Sequence, residues 1–221
     1  ELPEDMQTEE VRRYYCILQG KKGSLILKRI FDIIVAGLLL VILSPVFLIL
    51  AILIKTDSEG PVFFRQVRVT RYGRRFRIFK FRTMVVNADR LGTQVTTKGD
   101  TRVTRVGKAL RGCRLDELPQ LLNILTGDMT FVGTRPEVEK YVAHYTNEMK
   151  ATLLLPAGVT SLASIEYKDE ERLLESADNA DQVYIDQILP EKMKYNLKAI
   201  EDFSFWGDIK TMFATVAAVI K

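Results

Sequence analysis

Residues 28–55 read KRIFDIIVAGLLLVILSPVFLILAILIK, and this stretch decides how the chain is built. Its apolar run, Ile30–Ile54, contains 25 residues and a single charge near its start. As one straight helix the run would be about 37 Å long, which is enough to span a bilayer. Ser44 and Pro45 lie near its middle, where proline removes a helical hydrogen bond and clashes with the preceding turn. We therefore predict two helices with a break at Ser44 and Pro45.

The break and the flanking charges favour a segment that enters and leaves the membrane by the same face. The two halves would be about 21 Å and about 14 Å long, and each is too short to span a bilayer alone. Lys28 and Arg29 precede the run and Lys55 follows it, so the positive-inside rule cannot satisfy both flanks across a single span. A kinked transmembrane helix is the alternative, because proline is tolerated there. The one acid of the run, Asp32, is predicted to pair with Lys28 or Arg29 in the first turn.

The rest of the sequence predicts an α+β fold. A small, helix-rich domain at residues 57–221 follows an N-terminal extension at 1–24 and the re-entrant membrane segment at 25–56. Pro61–Phe64 and Phe76–Phe81 are apolar and aromatic and flank a turn, which predicts a short β-hairpin.

Several helices are expected around that hairpin. The predicted elements are a loop and then a helix over Thr101–Arg114, a short helix over Pro119–Leu125 that ends at Gly127, a helix over Glu137–Lys150, a surface helix or loop over Glu166–Asp186, and an apolar helix over Phe203–Ile220. The last of these suits an interfacial amphipathic helix, or equally one that packs on the core.

Positive charge is concentrated in one window. Pro61 to Arg114 contains fifteen basic residues and two acids, against a net charge of +4 for the whole chain. Asp116 and Glu117 follow directly. In such a field both carboxylates should stay ionised, one able to attack and the other able to hold a divalent cation. The arginines would bind an anionic, phosphorylated substrate, so the sequence predicts phosphoryl chemistry.

Histidine and cysteine usage exclude several other chemistries. His144 is the only histidine, which disfavours a Ser-His-Asp triad or a histidine-rich metal centre. Cys16 and Cys113 lie far apart without a CxxC partner, so neither a disulfide framework nor a zinc site is indicated. Both cysteines are expected to be small buried residues. Glu1–Gln19 has no apolar h-region and does not resemble a secretory signal.

Several motifs occur in a fixed order along the chain. They are Lys28–Asp32, the Ser44-Pro45 break, Gly60–Gln66, Phe79–Met84, Arg114–Leu121, Gly127–Met129 and Val132–Pro136. Together they resemble the bacterial sugar transferase family, the monotopic polyprenyl-phosphate phosphoglycosyl transferases that initiate glycoconjugate assembly. Weaker agreement continues through Pro156–Thr160 and Asp208–Lys210.

The resemblance implies a two-step exchange. Asp116 would attack the β-phosphate of a UDP-sugar, releasing UMP and leaving a sugar-phosphate on the enzyme. Polyprenyl (undecaprenyl) phosphate would then take up that group, while Glu117 binds Mg²⁺. Substrate phosphates would be held by basic and neighbouring residues of the motifs, namely Lys80, Arg82, Arg111, Arg114, Arg135 and Pro136.

The resemblance also implies a place in the cell. The catalytic domain at 57–221 would face the cytoplasm from the bacterial inner membrane, and a homodimer is compatible with the sequence. Thr134 replaces the first proline of the family's usual Pro-Arg-Pro, and the Ser161-Leu162 region and Asn196 also depart from the family pattern. The sequence therefore does not indicate which sugar is used.

Three other functions are alternatives to this interpretation. A nucleic-acid-binding protein would explain the basic window and the pI near 9.0. It leaves the apolar run of 25 residues unexplained, and the sequence has no aromatic stacking motif, so nucleic acid is not an expected partner. A membrane-anchored scaffold without catalysis and a membrane phosphatase are the other two alternatives.

Overall fold

The computed structural model describes residues 2–88, 100–167 and 179–220. The helices are α1 (Glu9–Gln19), α2 (Lys22–Ile42), α3 (Ser44–Asp57), α4 (Arg105–Gly112), α5 (Gln120–Thr126), α6 (Glu139–Val142), α7 (Leu162–Glu166), α8 (Ala180–Val183), α9 (Leu189–Glu201) and α10 (Phe205–Ile220). The strands are β1 (Phe63–Val69), β2 (Arg75–Phe81), β3 (Met129–Val132) and β4 (Ala157–Thr160). The predicted helix-rich α+β class is confirmed, with two small sheets rather than one hairpin.

Helices α2 and α3 form a bent apolar pair. They meet at Leu43 at an angle of 62°. Pro45 lies in the first turn of α3, where its missing N–H breaks no helical hydrogen bond. Among the described helices none alone is long and apolar enough to cross a membrane, whereas this pair taken together is. The chain therefore breaks where the sequence predicts.

Buried polar groups attach α2 to the rest of the molecule. Lys28 Nζ donates to the Val132 carbonyl at 2.8 Å and forms an ion pair with Asp208 of α10. Asp32 Oδ2 accepts a hydrogen bond from Thr130 Oγ1 of β3 at 2.6 Å. The predicted pairing of Asp32 within its own helix is wrong, because Asp32 bonds to Thr130 of β3 and Lys28 pairs with Asp208 of α10.

The predicted hairpin is confirmed. β1 and β2 are antiparallel, with Phe63 opposite Phe81 at one end and Val69 opposite Arg75 at the other. β1 is longer than predicted, because its ladder with β2 continues through Arg65 and Arg68 as far as Val69. The guanidinium of Arg65, for example, lies 3.5 Å from the ring centroid of Phe79.

The second sheet, β3 and β4, was not predicted. Its strands are parallel, with Met129 opposite Ala157 and Val132 opposite Thr160. Beyond the strands, Gly133 N donates to the Thr160 carbonyl at 2.9 Å. A Cβ added to Gly158 would lie 2.2 Å from the backbone N and O of Gly133. The two segments of backbone therefore approach so closely that no side chain fits between them. This approach places the loop after β3 beside the loop after β4.

The predicted helix over Glu137–Lys150 is wrong. Only α6, Glu139–Val142, forms there, followed by turns and a 3₁₀ turn at Met149–Leu154. Thr146 Oγ1 accepts from Met149 N at 3.2 Å, and such side-chain bonds compete with helix continuation. Of the predicted element Glu166–Asp186, residues 168–178 lie outside the described residues.

The predicted terminal helix is confirmed as α10. Thr211 on one face is buried, while Trp206 and Phe213 are each 72% exposed. A helix packed in the core of a soluble protein would bury these two rings. The pattern therefore favours an interfacial helix over one that packs on the core. Cys16 and Cys113 are both exposed, and the expectation that they are buried is wrong.

Candidate active site

A sharp turn presents Asp116 and Glu117. Arg114 adopts left-handed backbone angles with φ of 55°, which is costly for a residue with a Cβ. The chain thereby turns between α4 and the 3₁₀ turn Leu115–Glu117, and Pro119 is the N-cap residue of α5. The predicted location of the two acids, just before a short helix, is confirmed.

Glu117 is held between two cations. Lys80 Nζ, from β2, lies 2.8 Å from its Oε1, and Arg135 Nη2 lies 2.7 Å from the same oxygen. Burial would raise the pKa of the Glu117 carboxyl, but the charges and hydrogen bonds of Arg135 and Lys80 outweigh it and hold the pKa well below its usual value. Glu117 is therefore ionised.

Asp116 has the opposite environment. It is 8% exposed, and no group of the described residues donates a hydrogen bond to its carboxylate. Burial, with a contribution from the charge of Glu117, raises the pKa of Asp116, and Lys80 and Arg111 offset only part of that rise. The two neighbouring carboxyls therefore titrate apart, which the sequence did not indicate.

The structure brings some of the predicted phosphate-binding residues together and not others. Lys80 and Arg135 meet at Glu117, whereas Arg111 donates to Thr83 Oγ1 at 2.9 Å and acts on Asp116 through its charge. Arg114 is exposed beside the turn.

Arg82 lies apart from this group. Its guanidinium donates to the carbonyls of Ser58, Glu59 and Pro61 at 2.6–2.8 Å and to Ser58 Oγ at 2.8 Å. These bonds tie the end of the hairpin to the turn that follows α3. Arg82 therefore has a structural role here, and its predicted contact with substrate has no support in the geometry.

A buried network supports the loop that carries Arg135. Arg68 Nη1 donates to the carbonyl of the buried Pro136 at 3.1 Å. The next residue, Glu137, accepts from Tyr184 Oη at 2.5 Å and lies 3.9 Å from Lys192 Nζ. Sequence reasoning missed these residues, and the only signal was the acid directly after the Thr-Arg-Pro motif.

A cavity of about 450 Å³ lies beside the turn. Its polar end is formed by Arg114, Glu117, Gln120 and Arg135, and its walls include apolar residues of α2, α5, β4 and α10. Gln120 is 2% exposed, and its Nε2 is the one buried side-chain polar atom of the described residues without a hydrogen-bond partner. Sequence reasoning did not single out Gln120.

The two carboxyls suit Mg²⁺ with few protein ligands. Glu117 Oε1 accepts from both cations, while Oε2 accepts no hydrogen bond from the part of the chain that the structure describes. No group of three or more metal-ligating side chains occurs among the described residues. Mg²⁺ commonly binds through one or two carboxylates plus substrate phosphates, so Glu117 Oε2 and Asp116 fit that ion.

Comparison with known proteins identifies the family of this chain. A family model described as "Bacterial sugar transferase" matches residues 23–221. The chain is 38% identical to a UDP-glucose:undecaprenyl-phosphate glucose-1-phosphate transferase of Klebsiella pneumoniae, over 87% of this chain and 40% of that protein. It is 36% identical to a UDP-N-acetylgalactosamine-undecaprenyl-phosphate N-acetylgalactosaminephosphotransferase of Aeromonas hydrophila, over 88% of this chain and 44% of that protein.

A third relative, an undecaprenyl-phosphate galactose phosphotransferase of Salmonella typhimurium, is 31% identical over 91% of this chain and 42% of its own length. The chain thus spans less than half the length of these relatives, and their names give three different sugars. The match to the family model nevertheless covers nearly the whole chain, and the chain belongs to the bacterial sugar transferase family.

Proposed function

We propose that this protein transfers a sugar-1-phosphate from a UDP-sugar to undecaprenyl phosphate and releases UMP. The observation that carries the proposal is the Asp116-Glu117 turn, in which one carboxyl is fixed between Lys80 and Arg135 and the other accepts no hydrogen bond from the described residues. The names of the relatives support the same two substrates.

The first step forms a covalent intermediate. An Asp116 carboxylate oxygen attacks the β-phosphorus of the UDP-sugar, the bond from that phosphorus to the bridging oxygen breaks, and UMP leaves with the electron pair. The new acyl phosphate carries the sugar. Arg135 and Lys80 lie beside the reacting phosphorus and stabilise the charge on its oxygens.

The second step releases the product and restores the enzyme. A phosphate oxygen of undecaprenyl phosphate attacks the same phosphorus, the bond to Asp116 breaks, and the carboxylate departs with the electron pair. The product is a polyprenyl-diphospho-sugar. Mg²⁺, held by Glu117 and Asp116, would supply charge neutralisation for the diphosphate.

Intact-protein mass spectrometry tests the mechanism. The protein is incubated with Mg²⁺ and each of a panel of UDP-sugars, in the absence of lipid. We expect a mass increase of one sugar-phosphate with at least one of them, and its absence in Asp116→Asn. Asp186→Asn, which removes an exposed carboxylate outside the site, is the matched control and should form the adduct. Release of UMP without a covalent adduct would contradict the mechanism.

The proposed function also requires a place at the membrane. We place the bent α2–α3 pair as a re-entrant anchor in the bacterial inner membrane, with the catalytic domain on the cytoplasmic side. Single cysteines before Lys28 and after Lys55 should then react with an impermeant reagent from the same side of sealed vesicles. The exposed Cys16 and Cys113 must first be replaced by serine. Labelling from opposite sides would show that the pair crosses the membrane.

A further inference from the structure

The cation that reaches Glu117 from the hairpin depends on how β2 lies against α5. Lys80 is near the end of β2, and Glu117 lies three residues before the start of α5. Asn123, in the middle of α5, bonds the two elements together. We propose that Asn123 is a positioning residue of the reaction, whose side-chain amide fixes β2 along α5 and so keeps Lys80 in contact with Glu117. The inference rests on the proposed function and adds to it a residue that acts through Lys80.

The Asn123 amide bonds to β2 as a neighbouring strand would. Among the described residues, β2 pairs with β1 along one edge only, so the backbone groups of its other edge need partners. Asn123 Oδ1 accepts a hydrogen bond from Phe79 N at 2.8 Å, and Asn123 Nδ2 donates to the Arg77 carbonyl at 3.1 Å. Backbone groups two residues apart point to the same side of a strand, so one amide reaches both.

The surroundings of this amide select one orientation. Its nitrogen faces two acceptors, the Arg77 carbonyl and, at 3.5 Å, Asp128 Oδ2, while its oxygen faces the N–H of Phe79. The reverse orientation would set the amide oxygen against both acceptors and the amide nitrogen against a donor. Asn123 is 1% exposed, and polar groups left without partners at such a depth are unfavourable. The amide therefore bonds to β2 at one position along the strand.

The apolar contacts between β2 and α5 are less selective. Ile78 of β2 shares a buried cluster with Leu121 and Ile124 of α5, and apolar contact is non-directional. A shift of β2 by one residue would displace its side chains by about 3.3 Å and turn Lys80 towards the other face of the strand. Lys80 Nζ lies 2.8 Å from Glu117 Oε1, so a shift of that size breaks the contact. The directional bonds of the amide oppose such a shift.

A double-mutant cycle tests whether Asn123 acts through Lys80. Asn123→Ala removes both hydrogen bonds and places a strong helix former in α5. The single-turnover rate of UMP release, measured without lipid at saturating UDP-sugar, should fall at least about tenfold. In Lys80→Met, which has no cation left to position, the same substitution should change that rate by less than about twofold. A residue that only stabilises the fold would lower the rate by the same factor in both backgrounds.

Thr152→Val is the matched control. Thr152 is 3% exposed, and its Oγ1 donates to the Met149 carbonyl at 2.7 Å. The variant therefore also loses a buried hydrogen bond, but in the 3₁₀ turn Met149–Leu154 rather than on the strand that carries Lys80. It should leave UMP release within about twofold in either background.

Hydrogen exchange in the wild-type protein tests the contact without relying on a variant that folds. The bond to Asn123 should make the N–H of Phe79 exchange as slowly as the N–H groups bonded between β1 and β2. Exchange at the rate of an exposed amide would overturn the proposal. An equal fall in the rate of UMP release in both backgrounds, or a fall of less than about twofold in the wild-type background, would also overturn it. Absence of UMP release from the wild-type protein would instead contradict the proposed function.

Discussion

Asp116 and Glu117 are neighbours in sequence with opposite electrostatic surroundings. Lys80 and Arg135 both contact Glu117, and hold its pKa low despite burial. Asp116 is buried without a hydrogen-bond donor among the described residues, and burial raises its pKa. One carboxyl is therefore fixed in position, while the other accepts no hydrogen bond from the described residues and has one oxygen available for attack beside the oxygen that would bind Mg²⁺. This division of roles follows from the contacts.

The raised pKa of Asp116 predicts the pH dependence of its attack. Only the carboxylate can attack, so the rate of UMP release should fall as the pH drops through the pKa of Asp116. That pKa lies above the value of about 3.9 for an ordinary aspartate. The charge of Lys80 lowers the pKa of Asp116. Lys80→Met should therefore move the acid limb to higher pH, whereas Lys108→Met, at an exposed position, should not. An acid limb that stays in place or moves to lower pH in Lys80→Met would contradict this assignment.

Glu117 also contributes to stability. Glu117→Gln leaves Lys80 and Arg135 without their counter-charge in a largely buried site, which should lower the free energy of unfolding by about 3 kcal/mol. Glu139→Gln is the matched control, because that glutamate pairs with Arg75 in solvent and should cost less than about 1 kcal/mol. Urea unfolding in detergent compares the two. Equal losses would show that burial of the Glu117 pairs has no energetic consequence.

Sequence reasoning named the residues of the Asp116-Glu117 turn and their two cations but not the residues that support them. Asp116, Glu117, Lys80 and Arg135 could be named because motifs mark them. Arg82 carries the same charge, yet its bonds to the turn after α3 depend on a chain reversal that no local pattern reveals. Residues that act through burial, as Gln120 does, give no signal in sequence.

At the scale of elements, the two sheets differ in how visible they are in the sequence. The β1–β2 hairpin has seven-residue strands around a tight turn, so its aromatic runs could be predicted. β3 and β4 have four residues each and pair across a long connection, which leaves too few positions for alternation to appear. Yet the loop after β3 carries Arg135, so the short sheet positions one of the two cations that contact Glu117.

The close approach of β3 and β4 predicts a sharp response to one methyl group. In Gly158→Ala the new Cβ would lie 2.2 Å from the backbone of Gly133, which cannot move like a flexible side chain. The free energy of unfolding should fall by about 3 kcal/mol. Gly23→Ala, where a Cβ meets nothing within 4 Å, should change it by less than about 1 kcal/mol. Thermal unfolding of both proteins checks the contrast, and similar melting temperatures would refute the close approach.

At the scale of the whole molecule, the bent pair is bonded to the elements that carry the Asp116-Glu117 turn. Arg29 of α2 donates to the carbonyls of Ile124 and Leu125 at 2.6 and 3.0 Å, and so satisfies the end of α5, the helix that starts beside Glu117. The ion pair of Lys28 with Asp208 joins α2 to α10. Sequence reasoning located the break in the apolar run, but only the fold shows that the basic residues before it contact α5 and α10.

The Lys28–Asp208 pair predicts non-additive substitutions. The side chains are 8% and 18% exposed, so removing either one leaves a buried charge and should cost about 3 kcal/mol. Lys28→Met and Asp208→Leu together leave no unpaired charge, and the double variant should lose less than the two single losses combined. Unfolding measurements on all four proteins complete the cycle. Strictly additive losses would show that the two side chains act independently.

The most direct test locates the covalent bond. The protein is mixed with Mg²⁺ and the UDP-sugar that forms an adduct, quenched, digested and analysed by tandem mass spectrometry, with released UMP measured in the same sample. We predict one sugar-phosphate per chain on the peptide containing Asp116, with the fragment ions placing it on Asp116, and one UMP for each adduct. A sugar-phosphate on any other residue, or full UMP release with Asp116→Asn, would contradict the account.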